Sequence, residues 1–569
     1  MKTALSIRLR RLLWLPVRIE AYRQVAKWLK AVRHSRQTQA RVLEELVGLV
    51  AGSDFARDYG LDRVRTIDDL RAAMPVAGYE RVAPYVNRVM EGHTEALFAA
   101  GTRVHMFAMT SGTTGAPKLI PVTSQLLAAY RLGWHVWGVH AYHDNWDAFG
   151  AKLLQITSRP DEERSPSGLP VGAMSGMTAQ SQRWIVRWLY ALSPEVGFAG
   201  DIETKYYLAC RLGLAHQRIM PLTANPSTLL ALAQAMDRHK EDLLRDLADG
   251  TLKKGLALER GPRERIERRL KPNPRRARDL EAAAKASGNL YPKDAWDLPL
   301  IGTWKGGTLS LYLREMPHYW GDAPIRDIGL IASEGRFSIP LQTEGCEGAL
   351  EVAGTVYEFM PESEAGKENP ETLLPHETER GQRYFLVLTT PSGLFRYNIS
   401  DVVEVDYFLG EAPVIRFLNK GQHVSNLTGE KVTEFQAVTA VNGAIGRLGL
   451  PIGSYCLCPT WDTTPYYSLL VEEGEVNETS GPALAAAVEA AIQGLNVEYR
   501  QKRSSSRLGP VRVRTIPAGS WNAYDEAAIQ AARGRADQYK HKFIAGSPDF
   551  EKTFRTIASY GPRDEEVAR

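Results

Sequence analysis

Helical periodicity marks the first part of the chain. Apolar side chains recur every three or four positions over Gln39–Val50 and again over Thr228–Ala248, which is the spacing of an amphipathic helix. Thr66 stands just before another such segment and is a residue type that caps helix starts. Gln125–Val139 adds a further apolar-rich helix. These patterns predict a largely helical N-terminal region.

Short apolar runs separated by turn residues replace this pattern between residues 296 and 420. The predicted strands are Leu298–Trp304, Asp327–Ala332, Thr355–Met360 and Tyr384–Thr389. Beyond Leu427 the composition changes, and a strand over 466–471, a helix over 482–499 and a strand over 511–516 follow. We therefore predict an α/β fold, with a large N-terminal domain over residues 1–427 and a smaller, mobile C-terminal α+β domain over residues 428–569.

One glycine-rich stretch lies between two apolar runs, Val104–Ala108 and Leu119–Val122, which predicts a strand, a tight loop and a second strand. Its glycines permit close backbone approach, while its hydroxyls and its lysine are donors that suit a polyphosphate. The candidate phosphate-binding residues are Thr110, Ser111, Gly112, Thr113, Thr114, Gly115 and Lys118. The stretch lacks the Gly-Lys-Ser/Thr of a Walker loop, and a surface turn is the alternative interpretation.

The pattern Ser-Gly-Thr-Thr-Gly-x-Pro-Lys resembles the phosphate-binding loop of the adenylate-forming superfamily, which includes acyl-CoA synthetases and the adenylation domains of peptide synthetases. The resemblance implies that the chain binds ATP and activates a carboxylate as an acyl-adenylate. The remaining motifs indicate which branch of the superfamily the chain resembles.

Composition narrows the range of partners. A formal charge of +4 over 569 residues is too small to indicate a nucleic-acid-binding protein. The four cysteines form no Cys-x-x-Cys pair, so the sequence predicts neither a zinc site nor a disulfide framework. No apolar run approaches the ~18 residues that span a bilayer. We expect a cytoplasmic protein.

The N-terminal segment Lys2–Arg36 departs from this even charge, because Glu20 is the one acid among its many Lys and Arg residues. Trp14 and Tyr22 lie among the cations, as they do in helices that lie on a membrane surface. The alternative is a solvated helix that packs on the large domain. We favour this alternative because the apolar run is short and Pro16 interrupts it.

Two acidic residues follow apolar runs in the second half of the predicted large domain. Glu334 follows Ile-Ala-Ser at residues 331–333, and a carboxylate there suits Mg²⁺, which takes one or two carboxylates together with phosphate oxygens. Asp401 precedes the strand predicted at Val402–Val405, and a carboxylate accepts two hydrogen bonds from a ribose diol. Taken singly, each residue is more simply an ordinary turn acid.

Two further stretches lie at the predicted domain boundary and near the C-terminus. Phe417–Glu434 is polar and contains glycine, which gives it the character of a hinge, with a simple linker as the alternative. Gln538–Lys542 reads Gln-Tyr-Lys-His-Lys. A lysine there neutralises phosphate charge if it enters a cleft, although most such lysines lie at the surface.

These stretches, in this order, resemble one family of the superfamily, the Gretchen Hagen acyl acid amido synthetases, called auxin-responsive in plants. The family's motifs are Ser-Ser-Gly-Thr-Ser/Thr-Gly, Tyr-Ala-Ser-Ser-Glu, Gly-Leu-Tyr-Arg-Tyr-x-x-Gly-Asp-Val and a C-terminal Gln-Tyr-Lys. They match here at residues 110–115, 331–334, 393–402 and 538–540, and the resemblance covers nearly the whole chain. Three departures stand out. Ile331 replaces the family's usual tyrosine, Ser400 replaces the glycine before Asp401, and His541-Lys542-Phe543 replaces the family's Thr/Val-Pro-Arg.

The resemblance implies roles for individual residues. The implied nucleotide-binding residues are those of the loop together with Ala332, Ser333, Glu334, Tyr397 and Asp401. Within this set, the loop hydroxyls of Ser111, Thr113 and Thr114 hold phosphates, Glu334 binds Mg²⁺ as the metal ligand, and Asp401 binds the ribose. Glu334, Arg396 and Lys540 are the implied catalytic residues, the last two by offsetting phosphate charge. The small domain is expected to rotate about Ser425–Glu434 between half-reactions.

The implied activity has two steps. A carboxylic acid attacks the α-phosphorus of MgATP to give acyl-AMP and pyrophosphate, and an amine, typically an amino acid, then takes the acyl group and releases AMP. An acyl-CoA synthetase is the alternative, because residues 428–432 also resemble the hinge of that branch. A catalytically inactive nucleotide-binding protein is a third interpretation, and the presence of Glu334, Asp401 and Lys540 argues against it.

Overall fold

The computed structural model describes the chain from Leu15 to Gly561, apart from residues 111–117, 181–187, 307–309, 421–423, 426, 428–429, 431, 463, 506 and 532–539. The described residues form two compact units. The first contains the chain up to Ile399 together with Val403–Phe417, and the second contains Ser400–Val402 and the chain from Leu418 onward. The expected domain boundary between residues 427 and 428 stays a prediction.

The first unit is mostly helical, as the periodicity predicts. Its helices are α1 (Leu15–Arg33), α2 (Ser35–Val50), α3 (Asp54–Asp58), α4 (Ile67–Ala73), α5 (Ala83–Glu91), α6 (Ser124–Asp144), α7 (Met174–Gln180), α8 (Ile202–Gly213), α9 (Pro226–Arg238), α10 (Lys240–Asp249), α11 (Arg260–Glu267), α12 (Pro274–Ser287), α13 (Pro292–Ala295) and α14 (Ser310–Trp320). Thr66 caps α4, because its hydroxyl accepts from the Asp69 N–H while the Asp69 carboxylate accepts from the Thr66 N–H.

Strands occupy the same part of the chain and continue to residue 420. They are β1 (Val104–Met109), β2 (Leu119–Thr123), β3 (Lys152–Leu154), β4 (Glu163–Arg164), β5 (Pro170–Gly172), β6 (Ile219–Pro221), β7 (Ile301–Gly302), β8 (Ile325–Arg326), β9 (Ile331–Ala332), β10 (Gly335–Arg336), β11 (Ser338–Ile339), β12 (Gly348–Leu350), β13 (Val356–Pro361), β14 (Arg383–Thr389), β15 (Tyr397–Leu409) and β16 (Ala412–Lys420). One sheet has the order β2-β1-β5-β4 and another the order β11-β12-β16-β15-β14-β13. A single buried apolar cluster includes residues of both sheets and of α6.

The second unit has the α+β composition that the sequence predicts. Its elements are β17 (Val424–Ser425), β18 (Val432–Thr433), α15 (Glu434–Leu448), β19 (Cys456–Thr460), β20 (Tyr466–Glu472), α16 (Ser480–Leu495), α17 (Val497–Ser504), β21 (Arg512–Ile516), α18 (Ser520–Ala531) and β22 (Ala558–Tyr560). Its main sheet has the order β19-β20-β21-β22, in which β20 and β21 run parallel and the outer pairs run antiparallel.

Two predicted helices are divided in the structure. The helix predicted over Thr228–Ala248 becomes α9 and α10, because His239 leaves helical backbone angles and its ring contacts Glu203 Oε1 at 2.6 Å. The helix predicted over 482–499 ends at Leu495, because Asn496 is extended and its side chain accepts from Tyr499 N–H at 2.8 Å to cap α17.

Two predicted strands are much shorter than expected. Of Leu298–Trp304 only Ile301 and Gly302 form a strand, paired with β8, and of Asp327–Ala332 only Ile331 and Ala332 do so, paired with β10. An apolar run indicates that a segment is buried. To form a strand, the segment also needs a neighbouring strand for its backbone hydrogen bonds.

One face of α1 packs into the first unit. Val25, Trp28 and Val32 are buried in its apolar core, whereas Ile19 and Tyr22 on the other face are exposed. For the described part of the basic N-terminal segment, this packing is the arrangement that we favoured. Residues 2–14, including Trp14, lie outside the described residues, and the absence of membrane contact stays a prediction. Within the described part of the chain, every helix is too short or too polar to cross a membrane.

Candidate functional site

The two strands predicted on either side of the glycine-rich stretch pair with each other. β1 and β2 pair antiparallel, with Met109 opposite Leu119. Thr110 N–H donates to the Lys118 carbonyl at 3.0 Å, and Lys118 N–H donates to Thr110 Oγ1 at 3.3 Å. These bonds close the base of the loop. The loop residues Ser111, Gly112, Thr113, Thr114 and Gly115 lie outside the described residues, and their role in holding phosphates stays a prediction.

Three predicted site residues meet beside this pair of strands. Lys118 Nζ donates to Tyr397 Oη at 3.3 Å, and the ammonium lies 5.7 Å from the centre of the Tyr397 ring. Tyr397 Oη in turn donates to Glu334 Oε1 at 3.4 Å, and both residues are buried. A phenol therefore connects a cation and an anion that lie more than two hundred residues apart in the sequence.

The turn that carries Glu334 is held by α6. β9 and β10 pair antiparallel on either side of this turn, and Tyr130 Oη on α6 donates to the carbonyl of Ala332. The buried guanidinium of Arg336 lies 4.4 Å from the centre of the Trp134 ring, also on α6. Because α6 directly follows β2, one helix joins the strand pair β1–β2 to the turn of Glu334.

The donor set around this turn fits a magnesium ion that arrives with phosphate. Ser333 and Glu334 form the turn, and Glu334 supplies a single carboxylate. Among the described residues, no group of three or more His, Cys, Asp or Glu side chains is placed to hold a metal alone. Mg²⁺ commonly takes one or two carboxylates and completes its shell with phosphate oxygens and waters. Glu334 suits that mode of binding.

Tyr79 joins this cluster, although sequence reasoning gave it no role. Its hydroxyl donates to the Leu119 carbonyl at 2.6 Å and accepts from the Leu119 N–H at 3.1 Å. Burial, helped by the charge of Glu334, raises the pKa of Tyr79 to about 12. Tyr79 is therefore a neutral phenol that fixes the start of β2 beside Lys118. Residues 74–80 read Met-Pro-Val-Ala-Gly-Tyr-Glu, which also resembles the family's sequence, and the place of Tyr79 in this stretch was the available signal.

Arg396 lies in a buried ion pair. Its Nε and Nη2 donate to the two carboxylate oxygens of Glu358 at 2.9 and 3.0 Å, and Nη1 donates to the Met74 carbonyl at 2.8 Å. Glu358 also accepts from Arg71 Nε at 3.1 Å. The predicted role of Arg396 in offsetting phosphate charge stays a prediction. These contacts favour a structural role, because Glu358 already neutralises the guanidinium.

Asp401 is buried within β15 and groups with the second unit. Ser400, just before it, has φ +63°, in the left-handed region that favours glycine. This is the position where the family pattern has glycine, so Ser400 accepts backbone strain of roughly 1 kcal/mol. The assignment of Asp401 to the ribose stays a prediction.

The described part of the predicted hinge is anchored within the second unit. The buried carboxylate of Glu430 accepts from Leu427 N–H at 2.7 Å and from Tyr467 Oη at 2.5 Å. Its carbonyl accepts from Asn496 Nδ2 at 2.8 Å. Rotation about Ser425–Glu434 stays a prediction.

Lys540, the predicted catalytic lysine, is exposed in the second unit. His541 follows it and is buried, with its ring between Trp521 and Phe543. The structure therefore fixes the residue after Lys540 firmly, while the lysine itself faces solvent.

Three family models match the chain in succession. They are the GH3 family N-terminal domain over residues 24–325, the GH3 family central domain over 349–420 and the GH3 family C-terminal domain over 435–549. The first alone covers more than half of the chain.

Plant proteins are similar over almost the whole length. The Probable indole-3-acetic acid-amido synthetase GH3.1 of Oryza sativa subsp. japonica is 26% identical over 540 residues, covering 89% of this chain and 86% of its own. The Indole-3-acetic acid-amido synthetase GH3.3 of Arabidopsis thaliana is 23% identical, covering 88% of each chain. The Jasmonoyl--L-amino acid synthetase GH3.5 of Oryza sativa subsp. japonica is also 23% identical, covering 86% of this chain and 89% of its own.

Two solved structures share the fold. The GH3.15 acyl acid amido synthetase superposes with a TM-score of 0.81 at 20% identity, covering 94% of this chain and 96% of its own. The AtGH3.15 acyl acid amido synthetase in complex with 2,4-DB has a TM-score of 0.82 at 19% identity, covering 95% and 97%.

Proposed function

This chain belongs to the GH3 family, and on that premise we propose that it is an ATP-dependent acyl acid amido synthetase. It adenylates a carboxylic acid with release of pyrophosphate and then transfers the acyl group to an amine, most simply an amino acid. The related proteins named as amido synthetases and jasmonoyl-amino acid synthetases support this assignment.

Within the structure, the main support for the proposal is the series of contacts from Lys118 through Tyr397 to Glu334. It places a cation and a carboxylate beside the base of the β1–β2 loop, at 3.3 and 3.4 Å from one phenol. A cation next to a carboxylate suits a phosphate group that is accompanied by a divalent metal ion.

The chemistry explains why a carboxylate must be activated. A free carboxylate is a poor acyl donor, whereas the AMP of an acyl-adenylate is a good leaving group. One carboxylate oxygen of the acid attacks the α-phosphorus of ATP, and the bond from that phosphorus to the bridging oxygen of pyrophosphate breaks. The amine nitrogen then attacks the acyl carbon, AMP leaves, and the nitrogen loses a proton.

Each group of side chains has a part in these steps. The loop hydroxyls and Lys118 hold the phosphates, Glu334 would hold Mg²⁺, Tyr397 orients the Glu334 carboxylate, and Asp401 binds the ribose. Bound Mg²⁺ supplies positive charge against the phosphate oxygens. Lys540 offsets charge during adenylation.

The substrates are a small carboxylic acid and an amino acid. The names of the relatives refer to indole-3-acetic acid and to jasmonoyl conjugates, and the solved complex contains 2,4-DB. These molecules are carboxylic acids with an apolar body, and we propose that class for this chain.

All four cysteines are free thiols, which supports a reducing, cytoplasmic location.

A panel of aryl, alkyl and fatty acids tests this function. Each acid is incubated with MgATP and with pooled amino acids, with coenzyme A, or with neither, and pyrophosphate and products are measured. We expect acid-dependent pyrophosphate release and an amide that forms without coenzyme A. Glu334→Gln is the control that abolishes the release while the protein stays folded. A thioester in place of the amide would identify an acyl-CoA synthetase, and no release with any acid would contradict enzymatic activity.

A further inference from the structure

His541, the residue after Lys540, makes two contacts that bear on the protonation of its imidazole ring. His541 is fully buried, and its Nδ1 lies 3.0 and 3.1 Å from the two carboxylate oxygens of Asp525 on α18. Its Nε2 lies 3.0 Å from the carbonyl oxygen of Tyr455. Both partners are acceptors, because a backbone carbonyl and an ionised carboxylate have no hydrogen to donate.

A neutral imidazole donates from one nitrogen only, so it satisfies one of these contacts and leaves the other as two facing acceptors. An imidazolium donates from both nitrogens and satisfies both. With Asp525 ionised, the geometry therefore favours the ring that donates from both nitrogens, and the carboxylate supplies the matching negative charge.

The other groups that face the ring support this arrangement. Trp521 on α18 and Phe543 pack against it with ring centres 5.0 and 4.9 Å away. On the neighbouring elements, burial raises the pKa of Tyr524 on α18 and of Cys458 on β19. Both are therefore neutral near neutral pH. On the segment itself, the Lys542 ammonium lies 4.9 Å from the centre of the Phe550 ring.

The same segment is tied to the sheet immediately after His541. Leu457 N–H donates to the Phe543 carbonyl and Ala545 N–H donates to the Leu457 carbonyl, both at 2.9 Å. Residues 543–545 thus run beside β19, and the His541 ring fixes the part of the segment that leads back to Lys540. With the ring buried, the backbone of the exposed Lys540 has little freedom at its C-terminal side.

We propose that His541 is the positioning residue for Lys540 in the adenylation step, and that it acts as an imidazolium held between Asp525 and the Tyr455 carbonyl. The proposal rests on the proposed function, in which Lys540 offsets phosphate charge. It also accounts for the departure from the family's Thr/Val-Pro-Arg. In this chain the ring that anchors the segment stands where the family has Thr or Val, and Lys542 stands where the family has proline.

The protonation is tested directly by NMR of ¹⁵N-histidine-labelled protein near neutral pH. Both ring nitrogens of His541, assigned by comparison with His541→Phe, should show the shifts of protonated nitrogen. Asp525→Asn should convert the ring to the neutral form, because an asparagine amide donates to Nδ1 and Nε2–H still donates to Tyr455. A neutral ring in the unmodified protein would overturn the proposal.

Kinetics tests the positioning. Lys540→Ala and His541→Phe should each lower ATP-driven pyrophosphate release about tenfold or more. Both variants should still form amide from synthetic acyl-AMP and amine within about twofold of the unmodified rate. Lys542→Ala is the matched control and should change neither half-reaction. Equal slowing of both half-reactions in His541→Phe would show that the ring only maintains the fold and would overturn the proposal.

If Lys540→Ala is fully active while acid, ATP and amino acid still give amide, this inference fails and the proposed function stands.

Discussion

Tyr397 donates a hydrogen bond to Glu334 Oε1 at 3.4 Å, and both side chains are buried. The same phenol accepts from Lys118, so Tyr397 determines how far the cation lies from the carboxylate. The geometry of the proposed phosphate and metal site thus depends on one hydroxyl group.

Removing this hydroxyl should slow adenylation. In Tyr397→Phe the ring stays, but a hydrogen bond to a charged group is lost, which corresponds to roughly 1.5–3 kcal/mol or about 10–100-fold in pyrophosphate release. Tyr384→Phe is the matched control. Tyr384 is also a buried tyrosine, but its hydroxyl accepts from the backbone N–H of Glu379. Unchanged pyrophosphate release in Tyr397→Phe would mean that the phenol does not organise the site.

The pair formed by Arg396 and Glu358 should support stability. Arg396→Met leaves the Glu358 carboxylate buried with Arg71 as its remaining ion-pair partner, and breaking a buried pair costs about 3–5 kcal/mol. Thermal unfolding of Arg396→Met and of Glu358→Gln should therefore show losses of similar size. A different result would contradict this structural role. If Arg396→Met unfolds at the same temperature as the unmodified protein but loses adenylation, and Glu358→Gln retains adenylation, Arg396 acts on phosphate.

Glu351 should make stability depend on pH. Burial raises the pKa of Glu351 from 4.5 to about 7. The folded chain thus binds this proton more tightly than the unfolded chain, so its contribution is present below the unfolded pKa and is lost as the pH rises towards the folded pKa. The contribution is about 3 kcal/mol across this window.

Glu351→Gln should therefore gain stability relative to the unmodified protein as the pH rises from about 4.5 to about 7. Thermal unfolding at several pH values measures the difference between the two proteins, and the exposed Glu368→Gln serves as the control. A difference that stays constant over this range would show that Glu351 ionises in the folded protein as it does in the unfolded chain.

The N-terminal helix should stabilise the first unit and contribute nothing to membrane binding. Deleting residues 2–36 removes the buried side chains of Val25, Trp28 and Val32 and should lower the unfolding temperature and the solubility. Replacing the exposed Arg23, Lys27 and Lys30 by Gln should leave both unchanged. Co-sedimentation with anionic vesicles at low and high salt provides the check. Salt-sensitive binding that either change abolishes would show a surface anchor.

Residue types and their order were enough to predict the two-part α/β fold and the two strands around the phosphate loop. They also selected Lys118 and Glu334, while the family resemblance added Tyr397, and the structure brings these three residues together. Such motifs are readable because close approach to a phosphate demands glycine, hydroxyl and lysine in a short stretch.

Long-range pairing was not predictable in the same way. Glu358 lies in an ordinary apolar strand, and nothing local shows that it neutralises Arg396. Tyr79 was passed over because its role depends on contact with Leu119, forty residues away. The helix breaks at His239 and Asn496 likewise depend on side-chain contacts with Glu203 and with the next helix, which periodicity does not encode.

The path of one oxygen atom tests the central claim most directly. An accepted acid labelled with ¹⁸O in its carboxylate is converted to amide with ATP and an amino acid, and the products are analysed by mass spectrometry. Adenylation predicts one ¹⁸O atom in the phosphate of AMP for each amide formed, because the carboxylate oxygen that attacked the α-phosphorus leaves with AMP. Label in inorganic phosphate together with ADP, and none in AMP, would show an acyl phosphate intermediate and would contradict the account.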